Sequence, residues 1–215
     1  MLRILLADDH DVVRRGLCDQ LNQPEGWEVC GEASNGREAV NLALKLKPDV
    51  VVLDLSMPEL NGLEATRQIR QALPRTEVLI FTMHETEQLI REVLSAGARG
   101  YVLKSDAARH LTNAVEALSH HKPFFTAKVS QALLDAFLNS DAKPDEGSAF
   151  RTLTNREREI VQMLAEGKSN KEIANTLSIS VKTVETHRAA VMRKLEINSI
   201  VELVHYAIRN QLVQA

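Results

Sequence analysis

A five-stranded parallel α/β sheet, doubly wound with helices on both faces and followed by a small all-α domain of four helices, is the fold the sequence predicts. Three observations carry it. From Arg3 to about Leu118, short aliphatic or β-branched runs alternate with longer stretches whose apolar residues recur every three or four positions, the mark of βα units. The first and third of these runs are almost continuously apolar, as central strands covered on both faces must be. Beyond residue 150 the apolar period is helical throughout.

Taken in order, the strands read Arg3–Ala7, Glu28–Ala33, Val50–Asp54, Val78–Thr82 and Gly100–Leu103. Val12–Leu21, Arg37–Leu46, Leu63–Ala72, Gln88–Ala96 and Ala107–Leu118 have helical spacing, and each can cover one face of the sheet. A further helical stretch at Ala127–Leu138 leads into Asn139–Ser148, where Asn, Ser, Asp, Lys, Pro, Glu and Gly gather without any apolar period, as in a linker. Thr154-Asn155-Arg156-Glu157 is a capping box opening a helix that Gly167 stops. Helices at Asn170–Leu177, Val181–Leu195 and Ser199–Gln211 follow, the first two joined only by Ser178-Ile179-Ser180. The expected division is therefore 1–120, a connecting segment 121–150, and 151–215.

Composition narrows the function. With 215 residues, 44% apolar and 26% charged, the chain is long enough for two cores and too apolar for a disordered protein. Its apolar runs fall far short of the roughly 18 residues of a membrane span, and no cleavable leader opens it, so a cytoplasmic protein is expected. Cys18 and Cys30 cannot build a disulfide framework and read as small core residues. The seven histidines show no metal-ligand spacing, and His120 and His121 read as solvent-facing residues at a helix end. Charge is uneven: residues 151–215 hold 10 basic and 7 acidic side chains, net +3, within a chain of net −3. Only that tail suits a polyanion.

In a parallel sheet covered on both faces, ligands bind at the carboxyl ends of the strands, where the strand order reverses. Asp8 and Asp9 follow the first strand, Asp54 closes the third, Thr82 the fourth and Lys104 the fifth. Gathered carboxylates repel, and a hard divalent cation such as Mg²⁺ relieves them. With Lys104 adding positive charge, Asp54 has the setting to attack phosphorus and become an aspartyl phosphate, with Thr82 bonding a phosphoryl oxygen.

The Asp8-Asp9 pair, the run Asp54-Leu55-Ser56-Met57-Pro58 with Gly62, Thr82, and Tyr101-Val102-Leu103-Lys104 together resemble the flavodoxin-like receiver domain of two-component response regulators. The resemblance implies that Asp54 accepts a phosphoryl group from a sensor histidine kinase. It implies that Asp9, Asp54 and the main-chain carbonyl of Ser56 ligate Mg²⁺, with Asp8 acting through water. Thr82 and Tyr101 would be the switch, and Ser56 and His84 would tune phosphate lifetime. Ser105 follows Lys104 where many receivers carry a proline.

A different class also pairs an aspartyl nucleophile with Mg²⁺ on a parallel sheet: phosphohydrolases of the haloacid-dehalogenase type. Those carry Asp-x-Asp, whereas Asp54-Leu55-Ser56 lacks the second acid. A receiver that has lost its phosphate chemistry would have lost members of the pocket, yet Asp8, Asp9, Asp54, Thr82 and Lys104 are all present.

The two helices joined by a three-residue turn have the lengths of a helix-turn-helix, whose second helix enters the major groove. Val184, Val191 and Leu195 form its apolar face, leaving Lys182, Glu185, Thr186, Arg188 and Ala189 available to DNA. The segments Leu153–Glu159, Asn170–Ala174, Val181–His187 and Lys194-Leu195 resemble the LuxR-type DNA-binding domain. By that similarity Lys182, Thr183 and Lys194 touch phosphates, while Glu185, Thr186, Arg188 and Ala189 face base edges. His187 reads as a packed or capping residue. The two resemblances together identify a response regulator of the NarL/FixJ class, not a turnover enzyme. A homodimer on inverted half-sites is then expected, with the last helix (Ile200, Leu203, Val204, Ala207, Ile208) packing on its own domain and on a partner copy.

Overall fold

The computed structural model describes residues 1–127, 129–131, 134, 153–210, 212 and 213. The chain divides into two compact units, one holding the sheet and the other the last four helices. Most of the expected helix Ala127–Leu138, and all of the expected linker Asn139–Ser148, lie outside the described residues. Among the described residues no helix is long and apolar enough to cross a membrane.

In the first unit β1 (Leu2–Ala7), β2 (Trp27–Ala33), β3 (Val50–Leu53), β4 (Glu77–Thr82) and β5 (Gly100–Leu103) alternate with α1 (Asp11–Leu21), α2 (Gly36–Leu46), α3 (Gly62–Ala72), α4 (Glu87–Ser95) and α5 (Ala107–Ser119). The expectation of five strands is one short. A sixth, β6 (Phe124–Phe125), pairs parallel to Gly100 and Tyr101, giving the order β2-β1-β3-β4-β5-β6. After α5, His121 takes a left-handed backbone (φ 57), which turns the chain back so that the Phe124 N–H donates to the Arg99 carbonyl at 3.0 Å. Two residues are too few to show an alternating pattern, so this strand has no sequence signal.

Ile4, Leu6, Val50, Val52, Leu79, Phe81 and Val102 are buried with Leu17 and Leu21 of α1 and Leu111, Ala114, Val115 and Leu118 of α5. Their alternates Leu5, Val51, Leu53, Val78 and Ile80 point to the other face and are equally buried. Both cysteines are half-buried: Cys18, on α1, packs against this core, whereas Cys30 lies on the edge strand β2, which corrects its reading as a core residue.

In the second unit α6 (Asn155–Ala165), α7 (Asn170–Thr176), α8 (Val181–Lys194) and α9 (Ile200–Arg209) enclose a core that includes Leu153, Ile160, Val161, Ile173, Val184, Val191, Leu203 and Ala207. The Thr154–Glu157 capping box forms as read, and Gly167 adopts φ +82 after α6. A second capping box, Ser169 with Glu172, opens α7. Ser178, at φ 54, makes the sharp bend between α7 and α8.

Gly62 shows how tightly the β3–α3 turn is drawn. A Cβ there would lie 2.0 Å from the Asp54 carbonyl oxygen, and the Gly62 N–H already donates to the Leu55 carbonyl at 2.9 Å. Gly62→Ala is expected to lower stability by about 2 to 3 kcal/mol, read as an earlier urea midpoint, because backbone rather than a mobile side chain must give way.

Candidate functional site

The strand order reverses between β1 and β3, and their register pairs Ala7 with Leu53. The next residues, Asp8 and Asp54, are thereby brought side by side; the Asp54 N–H donates to the Ala7 carbonyl at 2.9 Å. On the other flank Thr82 pairs with Leu103, so Lys104 emerges beside the end of β4. Lys104 Nζ stands 2.8 Å from Asp8 Oδ2 and 2.8 Å from Asp54 Oδ2. Asp54 Oδ1 accepts from the Leu55 N–H at 2.7 Å.

Both carboxylates are almost wholly buried, at 1% and 3% exposure. Burial raises the Asp54 pKa above the usual aspartate range, Lys104 opposes the rise, and the Asp8 charge adds to it. Burial also pulls the Lys104 pKa down, but Asp54 and Asp8 more than offset this, so the amine is held in its charged form.

Asp9 completes the acidic group, and here a residue missed in the sequence enters. His10 Nδ1 lies 2.8 Å from Asp9 Oδ1 and 3.3 Å from Asp8 Oδ1. One ligand atom from each of Asp8, Asp9, His10 and Asp54 falls within 4.8 Å of all the others. The histidines have no metal-ligand spacing along the chain, yet the fold sets the His10 ring beside the acidic group; its signal was adjacency to the acidic pair at a strand end. Three carboxylates facing one ammonium leave negative charge in excess, a donor set that suits a hard divalent cation.

The other expected residues gather at the ends of β4 and β5. Thr82 is fully buried, and its Oγ1 accepts from the His84 N–H at 3.3 Å. Tyr101 is fully buried too, and its hydroxyl donates to the His84 carbonyl at 2.6 Å. Burial, then the charges of Glu85 and Asp54, push that phenol up well beyond the ordinary tyrosine value. Ser56 and His84 are joined directly, Oγ to Nε2 at 2.9 Å. Lys104-Ser105-Asp106 forms a single 3-10 turn.

On α8 the side chains of Lys182, Glu185, Thr186 and Ala189 are exposed and Arg188 and His187 are half-buried. Ser180 caps the helix by accepting from the Thr183 N–H at 3.1 Å, and the Thr183 hydroxyl meets Ser180 Oγ at 2.8 Å. Thr186 Oγ1 donates to the Lys182 carbonyl at 2.9 Å. Lys194 points elsewhere: its Nζ is 2.7 Å from Glu157 Oε2. On α9 Leu203 and Ala207 are buried while Ile200 and Val201 are exposed.

Residues 4–116 match the response regulator receiver domain, and residues 151–207 match the bacterial regulatory proteins of the luxR family. The chain is a response regulator of the NarL/FixJ class. Among similar proteins, this response regulator is 40% identical to the oxygen regulatory protein NreC of Staphylococcus epidermidis over 99% of its own length and 100% of the relative's. It is likewise 40% identical to the transcriptional regulatory protein LiaR of Bacillus subtilis, at 99% and 100% coverage. Among solved structures, RcsB from Salmonella enterica serovar Typhimurium, bound to a promoter in the presence of a phosphomimetic, is 29% identical with a TM-score of 0.59. That likeness covers 95% of this chain and 97% of the other. A two-component response regulator of the LuxR family from an Aurantimonas species is 36% identical with a TM-score of 0.61, covering 64% of this chain and 98% of that one.

The upward shift at Asp54 gives the pH dependence its sign. The folded response regulator binds that proton more tightly than the unfolded chain does, so stability falls as pH rises through the carboxylate range up to the raised value. Asp54→Asn is expected to raise the melting temperature of the metal-free protein at pH 7 by a few degrees, with Lys104 still paired to Asp8. The gain should shrink as the pH is lowered toward 4; a variant less stable than wild type at every pH would contradict the assignment of strain to Asp54.

Proposed function

We propose that this chain is a phosphorylation-controlled transcriptional regulator of a two-component system, in which Asp54 accepts a phosphoryl group from a sensor histidine kinase. The observation that carries the reading is the double ion pair of Lys104 with Asp8 and Asp54 beside Asp9, in a chain that also holds a helix-turn-helix. An Asp54 carboxylate oxygen forms a bond to phosphorus as the bond to the kinase histidine nitrogen breaks, the electron pair leaving with nitrogen. Lys104, already charged and aimed at the Asp54 oxygen, balances the anionic oxygens of the incoming group. The Thr82 hydroxyl turns from the His84 N–H to a phosphoryl oxygen, and Tyr101 follows it.

Asp9, Asp54 and the Ser56 main-chain carbonyl would hold Mg²⁺, with Asp8 acting through water. When bound, the ion neutralises the carboxylates that otherwise repel an anionic phosphoryl donor. The phosphoryl group ends on the chain itself and leaves only to water, so no substrate is turned over.

The modification adds about −1.5 to −2 charges, by analogy with phosphorylated hydroxyls, and biases an existing equilibrium. Two copies then hold inverted half-sites of double-stranded DNA in the cytoplasm; RcsB was solved as dimers on DNA. Lys182 and Thr183 contact phosphates, and Glu185, Thr186, Arg188 and Ala189 face base edges, Glu185 suited to a cytosine amine and Arg188 to guanine. The exposed Ile200 and Val201 on α9 offer an apolar face to the second copy.

Incubation with acetyl phosphate and Mg²⁺ should place one phosphoryl group on the wild-type chain and none on Asp54→Ala. Label on the variant at the wild-type level would end the proposal. For the tail, Lys182→Ala should weaken binding to all duplexes alike and flatten the dependence of log affinity on log salt by about 0.9.

A further inference from the structure

The expected partner of Lys194 is a DNA phosphate, yet its ammonium, on a side chain 34% exposed, is paired within the helical unit. Its Nζ lies 2.7 Å from Oε2 of Glu157, 37 residues earlier at the start of α6. Glu157 is almost fully buried. The same oxygen accepts from the Thr154 N–H at 2.8 Å and from the Thr154 hydroxyl at 3.1 Å. Burial raises the pKa of this carboxyl, but the bonds from Lys194 and Thr154 prevail and hold it below the usual glutamate value. Losing the ammonium would leave this buried carboxylate with only the Thr154 donors, which favours the closed pair.

The position of the pair in α8 gives it a task. That helix has 14 residues, about 21 Å of length, and only Val184 and Val191 are fully buried in the core. The two valines lie seven residues apart, and Met192 and Leu195 pack against the same core while only partly buried, so the apolar hold on the carboxyl end is incomplete. Lys194 sits in the last turn, where a cation also favours the helix dipole, and ties that end to the first turn of α6. The residues expected to read bases, Glu185 to Ala189, lie in the first two-thirds of the same rigid rod. A swing at the carboxyl end is therefore felt as a displacement at the reading end.

We infer that Lys194 is a positioning residue that fixes the angle of the reading helix through Glu157, not a phosphate contact. The inference rests on the DNA-binding reading given above, and its test separates the two. Lys194→Met keeps the apolar stem without the charge, and Glu157→Gln keeps the capping bonds without the charge.

A duplex enriched by the wild-type chain from a randomised library is compared with its scrambled counterpart across a salt series. For Lys194→Met the expected result is an unchanged salt slope and a preference for the enriched duplex reduced about tenfold, the scale of one misread base pair. A slope flattened by about 0.9 makes Lys194 a phosphate contact and overturns the inference. An unchanged slope with unchanged preference leaves the residue a stabiliser only, and overturns it too.

A double-mutant cycle on urea unfolding of the full chain tests the pair without DNA. Glu157→Gln should cost clearly less in the Lys194→Met background than in wild type, and equal costs would mean that no working pair exists. If the wild-type chain enriches no duplex, the DNA reading fails while the cycle still decides the tie.

Discussion

An ammonium held between two buried carboxylates is the constraint from which the acidic site follows. Lys104 reaches Asp8 and Asp54 only because Ala7 is in register with Leu53 and Thr82 with Leu103. Each pairing is a backbone fact, set before any side chain is chosen, and it places three strand ends within reach of one four-carbon stem. The surrounding strands are apolar on both faces, which removes water and sharpens every charge in the pocket. The same dryness raises the pKa of Asp54, so the fold carries a strained carboxylate beside a charged amine. An acidic group this short of positive charge is stabilised by whatever brings more of it.

Much of this was legible because a parallel sheet announces itself. Continuous apolar runs end abruptly at Asp8, Asp54 and Lys104, and the position of a polar residue after such a run locates the strand end to within one residue. What stayed hidden depends on contacts between distant residues or on elements too short to have a period. β6 is two residues long. His10 follows the acidic pair with no other histidine at ligand spacing to mark it. The bond between Ser56 and His84 spans 28 positions, and that between Glu157 and Lys194 spans 37. Lys194 illustrates the limit well: helical spacing puts it on the outside of α8, and only the approach of α6 gives it Glu157 as a partner.

The helical unit is small, and small units have little apolar area to spare for fixing orientation. Polar ties supplement the core. Thr154, Ser169, Ser180 and Ser199 each cap a helix through the side chain, and Glu157 and Glu172 close capping boxes. Each cap is worth about 1 kcal/mol, comparable with losing part of a buried valine, so together they decide where helices begin. Glu157 does more than cap, since its second role in holding Lys194 makes the start of one helix a reference point for the end of another.

In the first unit His84 has a comparable position, and its three bonds are of different kinds. Its ring meets the Ser56 hydroxyl, its N–H serves Thr82 Oγ1, and its carbonyl takes the Tyr101 hydroxyl. A buried phenol must have a partner, so Tyr101 stays inward only while the His84 carbonyl remains in place. If Thr82 turns its hydroxyl elsewhere, the His84 N–H loses an acceptor, and the residue that anchors both Tyr101 and Ser56 must adjust. Close packing around Thr82 and Tyr101 leaves few intermediate arrangements, so the switch proposed above would run between discrete states. His84 thus links the Thr82 hydroxyl to an aromatic ring and to the rim of the acidic pocket, which is the connection such a switch would need.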